Sequence, residues 1–338
     1  MFSTVLVGRK NLHRSRIAIT LLAWALLSVS TKAAPLELVM PVDCQLGVDC
    51  FLQQMPDMDL SDKVVDPLCG SASYDRHKGT DIRLLSLADI EKNISVLATA
   101  DGMVKAVRDG EPDKLVNTSA DREAVKDREC GNGVVIDHGK GIETQYCHMK
   151  KDSIVVQKGD KLKTGDVLGA VGASGLAQFP HLHLTLRMNG ETIDPFTGKN
   201  LGDDCGRDIS NSWWNDKALS QSDGDALILR SGLAGTVVNH NELVVAGGPK
   251  PASTKDAATV GWAWFANLKK GDQIKMTLTG PNGLSTENTT EPLDRNKASW
   301  SGYIGKKRQP VSGSYNFEVQ VLRDQKSIRF QKTSFTVD

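Results

Sequence analysis

The chain has 338 residues, 39% of them apolar and 24% charged, enough for one large domain or two ordinary ones with real cores. Its 41 basic and 41 acidic residues cancel, but the first 33 residues hold five of the bases and no acid, so the remainder carries 36 against 41, a charge of −5. A mildly acidic chain of this kind has no electrostatic footprint for nucleic acid.

Arg9, Lys10, Arg14 and Arg16 precede an apolar run over residues 17–27, and small residues follow up to Ala34. A basic region, a short apolar region and a Thr31-x-Ala33 ending predict a secretory signal peptide over residues 1–33. The run is too short for a comfortable bilayer span, so no stable membrane span is expected after cleavage, and the mature protein is expected to be exported, periplasmic or extracellular. All six cysteines (Cys44, Cys50, Cys69, Cys130, Cys147 and Cys205) lie between residues 44 and 205, with no Cys-x-x-Cys. An even count in an exported chain implies disulfides rather than a thiolate metal site. Fifteen pairings are open; Cys130 and Cys147 flank a hairpin turning at residues 138–141, Cys44 and Cys50 suit a small loop, and by elimination Cys69 would then meet Cys205.

Residues 34–69 read as a disulfide-pinned segment covering one edge of the first domain. Over residues 70–200, short strand-like runs occur at 94–98, 102–107, 133–137, 143–148, 153–156, 167–171 and 181–188, punctuated by Gly-Asp turns. Many short strands with Gly-rich turns and few helical patterns predict an all-β, antiparallel domain. The polar stretch 108–128 is longer than a hairpin needs and reads as a surface insertion. Residues 201–225 are polar apart from Trp213 and Trp214 and read as a linker. From 226 to 338 strand alternation returns, with Ile274, Met276 and Leu278 on one face and Tyr315, Phe317, Val319 and Val321 on another, predicting an immunoglobulin-like β-sandwich. Trp262, Trp264 and Trp300 are expected in its core. This half carries no proposed chemistry and its partner is unassigned; its removal is expected to spare whatever chemistry the first half performs on a small substrate.

The chemistry concentrates in three places. His181 and His183 alternate with Leu182, Leu184 and Leu186, so both imidazoles project from one strand face, where they can serve one metal or divide metal and proton between them. His77 and Asp81, around Gly79, add donors that zinc accepts. Two histidines and one carboxylate leave a fourth tetrahedral position open, the pattern of a catalytic rather than a structural zinc. Tyr146 and His148 are expected to share a face, with Cys147 pointing away.

The ordered set His77-x-Gly-x-Asp81, Gly131 to Gly139, Tyr146-x-His148, Lys158-Gly-Asp160, Gly169-x-Val-Gly172-x-Ser-Gly175, His181-Leu-His183 and Asp194-Pro195 resembles the M23 family of zinc metallopeptidases, the lysostaphin- or LytM-type endopeptidases. The resemblance covers residues 70–197. It implies that His77, Asp81 and His183 bind Zn²⁺, that His148 and His181 form the catalytic pair, and that peptidoglycan peptides are cleaved. Which of the pair is the base stays open, and Tyr146 either lines the substrate site or packs within the strand. His138 is assigned a structural role. The alternative reading is a non-catalytic module of the same type that binds wall or regulates other hydrolases, as family members that have lost ligands do; here all three ligands and both extra histidines are present. The insertion after Val107 and the six cysteines depart from the plain form of the family and leave the groove undefined.

Overall fold

The alternation of leucines with polar residues at the centre of the chain organises an eight-stranded antiparallel sheet. The computed structural model describes residues 1–4, 36–215 and 224–338; the expected signal segment falls almost wholly outside the described residues. The strands are β1 (Cys50–Gln54), β2 (Thr80–Leu84), β3 (Ser95–Leu97), β4 (Gly102–Arg108), β5 (Asn132–Asp137), β6 (Ile142–Met149), β7 (Lys161–Leu162), β8 (Val167–Ala170), β9 (His181–Met188) and β10 (Glu191–Ile193). Their order in the sheet is β1-β2-β9-β6-β5-β4-β7, with β10 on β9, while β3 and β8 pair separately. Leu182, Leu184 and Leu186 of β9 are buried against Val134, Ile136 and Tyr146, which leaves the opposite face of β9 for its histidines.

Two departures from the sequence expectation have local causes. Residues 153–156 form no strand: Ile154 N–H donates to the Asp109 carboxylate and Ser153 Oγ to the Lys150 carbonyl, so these groups never join a continuous ladder. Conversely β1 had no visible alternation because all five of its residues are buried, which erases the period of two. The insertion holds one short helix, α1 (Ser119–Ala124), whose Thr118 cap and Asp121 bond reciprocally at its start.

Three disulfides join Cys44 to Cys50, Cys69 to Cys205 and Cys130 to Cys147. The second spans 136 residues and ties together the two ends of the first half. Closing a loop of that length removes about 5 kcal/mol of chain entropy from the unfolded state. Cys69→Ser combined with Cys205→Ser is therefore expected to lower unfolding free energy by up to about 5 kcal/mol in denaturant titration; an unchanged midpoint would show that the link adds nothing.

The second half is built from β11 (Leu227–Ala234), β12 (Thr259–Leu268), β13 (Gln273–Gly280), β14 (Leu284–Thr289), β15 (Lys297–Lys306), β16 (Gly313–Arg323) and β17 (Lys326–Val337), with the short helix α2 (His240–Ala246) between β11 and β12. Sheets β11-β12-β15 and β14-β13-β16-β17 face each other as a sandwich, with Phe265, Ile274, Leu278, Tyr315, Phe317 and Val319 in its core.

Trp300 packs against the sandwich core as expected, but Trp262 and Trp264 are placed otherwise. Along β12, Ala263 and Phe265 enter the sandwich core, whereas Trp262, Trp264 and Ala266 point out of it and pack with Phe51 and Leu85 of the first half. Every residue of β12 is consequently buried. The two halves also share hydrogen bonds: Gln53 Nε2 donates to Asn267 Oδ1 and to the Ala298 carbonyl, and Asn267 Nδ2 donates to the Gln53 carbonyl. The described residues from Leu36 onward belong to one compact unit, so the expectation that the second half is dispensable does not match this packing.

Candidate metal centre

Strand register brings the donors together. β2 and β9 pair so that Asp81 lies opposite His183 and Arg83 opposite His181. Directly opposed residues share a face, so Asp81, His183, Arg83 and His181 all project to the side away from the leucine core. His77 approaches from the turn before β2, where Arg76 has a left-handed φ of 62° and its N–H is held by the Asp57 carboxylate. Gly79 serves close approach: a Cβ there would lie 2.5 Å from His183 Nε2 and 2.7 Å from the Leu184 carbonyl oxygen.

One ligand atom each from His77, Asp81 and His183 lies within 4.8 Å of the others. His77 Nε2 stands 3.1 Å from Asp81 Oδ1 and 3.2 Å from His183 Nδ1, and His183 Nδ1 stands 2.8 Å from the same carboxylate oxygen. The other oxygen, Asp81 Oδ2, is buried with no hydrogen-bond partner among the described residues. A fully buried carboxylate oxygen without a donor is costly unless a cation meets it. These donors are of the kind that hold a divalent metal ion, and the orphaned oxygen fits one. Burial alone would raise the Asp81 pKa, but the imidazoles of His77 and His181 and the hydrogen bonds from His183 and His77 outweigh it and hold the group well below the usual carboxylate range.

The backbone fixes the tautomers of the surrounding imidazoles. Carbonyl oxygens only accept, so the ring nitrogens facing them carry the proton. His77 Nδ1 donates to the Met55 carbonyl at 2.7 Å, His148 Nδ1 to Ser174 at 2.8 Å and His181 Nδ1 to Phe179 at 2.8 Å. His148 and His181 are each left with a lone pair on Nε2, while His77 Nε2 faces the Asp81 carboxylate. His183 is oriented the other way, with Nε2 3.0 Å from Thr185 Oγ1 and Nδ1 toward Asp81. Such outer contacts fix the orientation and tautomer of metal-binding histidines.

His148 and His181 lie beside this donor set. Their ring centroids are 4.5 Å apart, His148 is 5.8 Å from His183, and His181 Nε2 is 3.7 Å from Asp81 Oδ1. Burial, reinforced by the neighbouring imidazoles, pushes the His148 pKa well below its ordinary value; burial also lowers that of His181, partly offset by Asp81. Both are thus neutral near pH 7, the form that accepts a proton. His148 has a left-handed φ of 62°, a strained conformation for a residue with a Cβ. Hydrogen bonds on both sides of its backbone, from His148 N–H to the Cys130 carbonyl and from Gly172 N–H to the His148 carbonyl, hold it there.

That turn corrects the expected facing of β6. Tyr146 is opposite Leu184 and Cys147 opposite His183, so it is the tyrosine that points into the core and the cysteine that shares the face of the histidine. Tyr146 is fully buried, its hydroxyl within hydrogen-bond distance of the Thr99 N–H and of the Thr99 and Thr144 hydroxyls. It therefore packs within the sheet and does not line a substrate site. The left-handed φ at His148 breaks the strand period and returns that side chain to the site. His138 bonds the Asp101 carbonyl and the Thr144 hydroxyl at the hairpin turn, as its structural assignment expected.

Three residues around the centre carried no signal that sequence reasoning used. Tyr74 stacks on His77 with centroids 4.2 Å apart. Phe179 lies 4.5 Å from the His181 ring. Arg83, almost fully buried, places its guanidinium between the rings of Phe179 and Trp264, at 4.8 and 4.9 Å from their centroids. Its nitrogens donate to Gln53 Oε1 and to the Leu84 and Leu85 carbonyls. A column of stacked groups thus runs from Trp264 in the second half through Arg83 and Phe179 to His181.

Beside the centre lies a cleft of about 590 Å³ that reaches Asp81 and His181. Tyr74 and Gln178 contribute to it from the first half, Arg122 from the insertion, and Asn267, Asn296 and Lys297 from the sandwich.

The pattern described as Peptidase family M23 matches residues 75–195. Over 65 residues the chain is 40% identical to the DD-carboxypeptidase/endopeptidase Mpg of Neisseria meningitidis serogroup B, a stretch covering 19% of this chain and 14% of that protein. Over 82 residues it is 39% identical to the peptidoglycan DD-endopeptidase ShyA of Vibrio cholerae serotype O1, covering 23% of this chain and 19% of that one. The matched stretch therefore spans less than a fifth of either relative. Among solved structures, the catalytic domain of the prophage-encoded M23 protein EnpA from Enterococcus faecalis aligns with 36% of this chain and 77% of its own, at 25% identity and a TM-score of 0.26. Residues 75–195 are thus similar to peptidase family M23.

Proposed function

We propose that the protein is an exported zinc endopeptidase that hydrolyses peptide bonds of bacterial peptidoglycan. The observation that carries this reading is the convergence of His77, Asp81 and His183 around a buried carboxylate oxygen with no partner among the described residues, beside two further imidazoles whose Nδ1 atoms are already committed to backbone carbonyls. The names of the relatives from Neisseria and Vibrio support peptidoglycan peptides as the substrate class. Three disulfides and the basic, then apolar, amino terminus support export. The proposed organisation is a signal peptide at 1–33, a disulfide-pinned segment at 34–69, the peptidase domain at 70–200, a linker at 201–225 and the sandwich at 226–338.

In this reading His77, Asp81 and His183 hold the ion. Bound there, zinc would supply Lewis-acid chemistry, polarising a peptide carbonyl and making water acidic enough to attack it near neutral pH. His148 and His181, neutral and with free Nε2 lone pairs, accept the proton of the attacking water and return it to the departing amine; as N–H donors they steady charge developing on the carbonyl oxygen. Asp81, held well below the usual carboxylate range by the facing imidazoles, supplies the negative charge that would offset that of the ion. The Thr185 hydroxyl and the Met55, Ser174 and Phe179 carbonyls keep the rings in register.

Zinc content of the purified mature protein, measured together with mass spectrometry of fragments released from peptidoglycan, tests the reading. One zinc per chain and new peptide termini are expected. His181→Ala is expected to retain zinc and to lose roughly 10²–10⁴-fold in turnover, the usual contribution of a positioned acid or base. Full activity of that variant, or its failure to hold zinc, would remove His181 from the proposed role.

A further inference from the structure

The cleft that leads to the metal centre is not made by the peptidase segment alone. Asn267 and Leu268 at the end of β12 and Asn296 to Ala298 at the start of β15 form one side of it, and Arg122 of α1 another. The hydrogen bonds that seat the sandwich fix this side in place: Gln53 bridges Asn267 and the Ala298 carbonyl, while its neighbour Gln54 faces the cleft. A substrate reaching Asp81 and His181 through this cleft must therefore meet the second half of the chain.

The charges that line it have an uneven assignment. Four charged side chains do so: Asp75, Asp81, Arg122 and Lys297. Asp81 is committed to the metal centre, and Asp75 has the Arg76 guanidinium 3.8 Å away. Lys297 Nζ pairs with Asp294 at 2.7 Å, but that carboxylate is 71% exposed, and exchanging such a pair for another carboxylate costs little. The Arg122 guanidinium makes no ion pair or hydrogen bond among the described residues. The cleft thus offers one free guanidinium and one readily exchanged ammonium, with amide groups of Gln178 and Asn296 to which a peptide backbone can bond.

We infer that the sandwich forms the second wall of the substrate cleft and that Arg122 and Lys297 bind a carboxylate of the peptide, so that the enzyme selects anionic peptides. The inference rests on the peptidase reading above and adds its substrate preference. A guanidinium meets a carboxylate with two parallel hydrogen bonds, and a neutral amide in the same place loses the charge-assisted part of that contact.

The test uses the zinc-loaded mature protein and two synthetic peptidoglycan stem peptides that differ only in one carboxylate converted to carboxamide. Cleavage rates and calorimetric dissociation constants are measured for each. The wild type is expected to favour the acid by about ten-fold in KM and in affinity, a difference of about 1.4 kcal/mol. Arg122→Gln and Lys297→Gln are each expected to erase most of that preference, leaving zinc content, kcat and the amide substrate within about two-fold of wild type. Equal handling of acid and amide by the wild type, or variants that slow both peptides alike, would overturn the inference while leaving the hydrolase intact. Preferential binding of the acid, lost in both variants but with no cleavage by the wild type, would uphold the carboxylate site and overturn the peptidase reading instead.

Discussion

His183→Ala is expected to abolish both stoichiometric zinc and peptide hydrolysis. His183 is the donor on which the other contacts converge, bonded to Asp81, adjacent to His77 and oriented by Thr185. Removing an outer partner of a metal ligand alone costs about 10–100-fold in metal affinity or activity, so loss of the ligand itself is expected to exceed ~10²-fold. Thr185→Val supplies the graded comparison, with affinity lowered about ten-fold and zinc retained at saturating concentration. His183→Ala also leaves the Asp81 carboxylate buried with fewer donors, so its thermal stability is expected to fall alongside. A His183→Ala protein that kept one zinc per chain through dialysis, measured by atomic emission, would refute the assignment.

Loss of the second half is expected to be nearly as damaging, though it supplies none of the donors. Truncation after residue 225 would bare Phe51 and Leu85 and leave Gln53 and Arg83 without the groups that cover them. Exposing each large apolar side chain costs about 1.5–3 kcal/mol, and the buried polar groups add to that. Trp264→Ala isolates the effect, since deleting a buried tryptophan costs about 3–5 kcal/mol. The same change removes one plate of the column that ends at His181, so turnover of the folded, zinc-loaded variant is expected to fall while Trp264→Phe restores much of it. Calorimetry and turnover on a small peptide decide the matter. A truncated chain that stays soluble, keeps zinc and hydrolyses as before would show that the contact between halves is incidental.

Much of the centre was legible because its chemistry sits on short, ordered motifs. His181 and His183 alternate with three leucines, so one strand wrote both the core and the site into eight residues. His77, Gly79 and Asp81 lie within one turn and strand, where the glycine admits the close approach of β9. The cysteine pairs followed from spacing because two of them are local. Alternation failed where both faces are covered, as at β1 and β12, whose residues are all buried. It failed again at His148, where a left-handed φ redirects one side chain and reverses the inferred facing of Tyr146 and Cys147. The column from Trp264 to His181 and the shared cleft join residues more than eighty positions apart, through packing that no periodicity encodes.

The carbonyl contacts of His77, His148 and His181 bear on how the centre acquires its ion. Their Nδ1 atoms are held by Met55, Ser174 and Phe179 without help from the metal, and strand pairing holds Asp81 opposite His183. The ordering cost that a flexible site meets when it closes around an ion is here met by the polypeptide as it folds. Metal uptake then resembles filling a rigid vessel rather than nucleating a fold, unlike small zinc modules that collapse without their ion. Chelation would silence such a protein while leaving its architecture standing, and resupply of the ion would restore it without a refolding step.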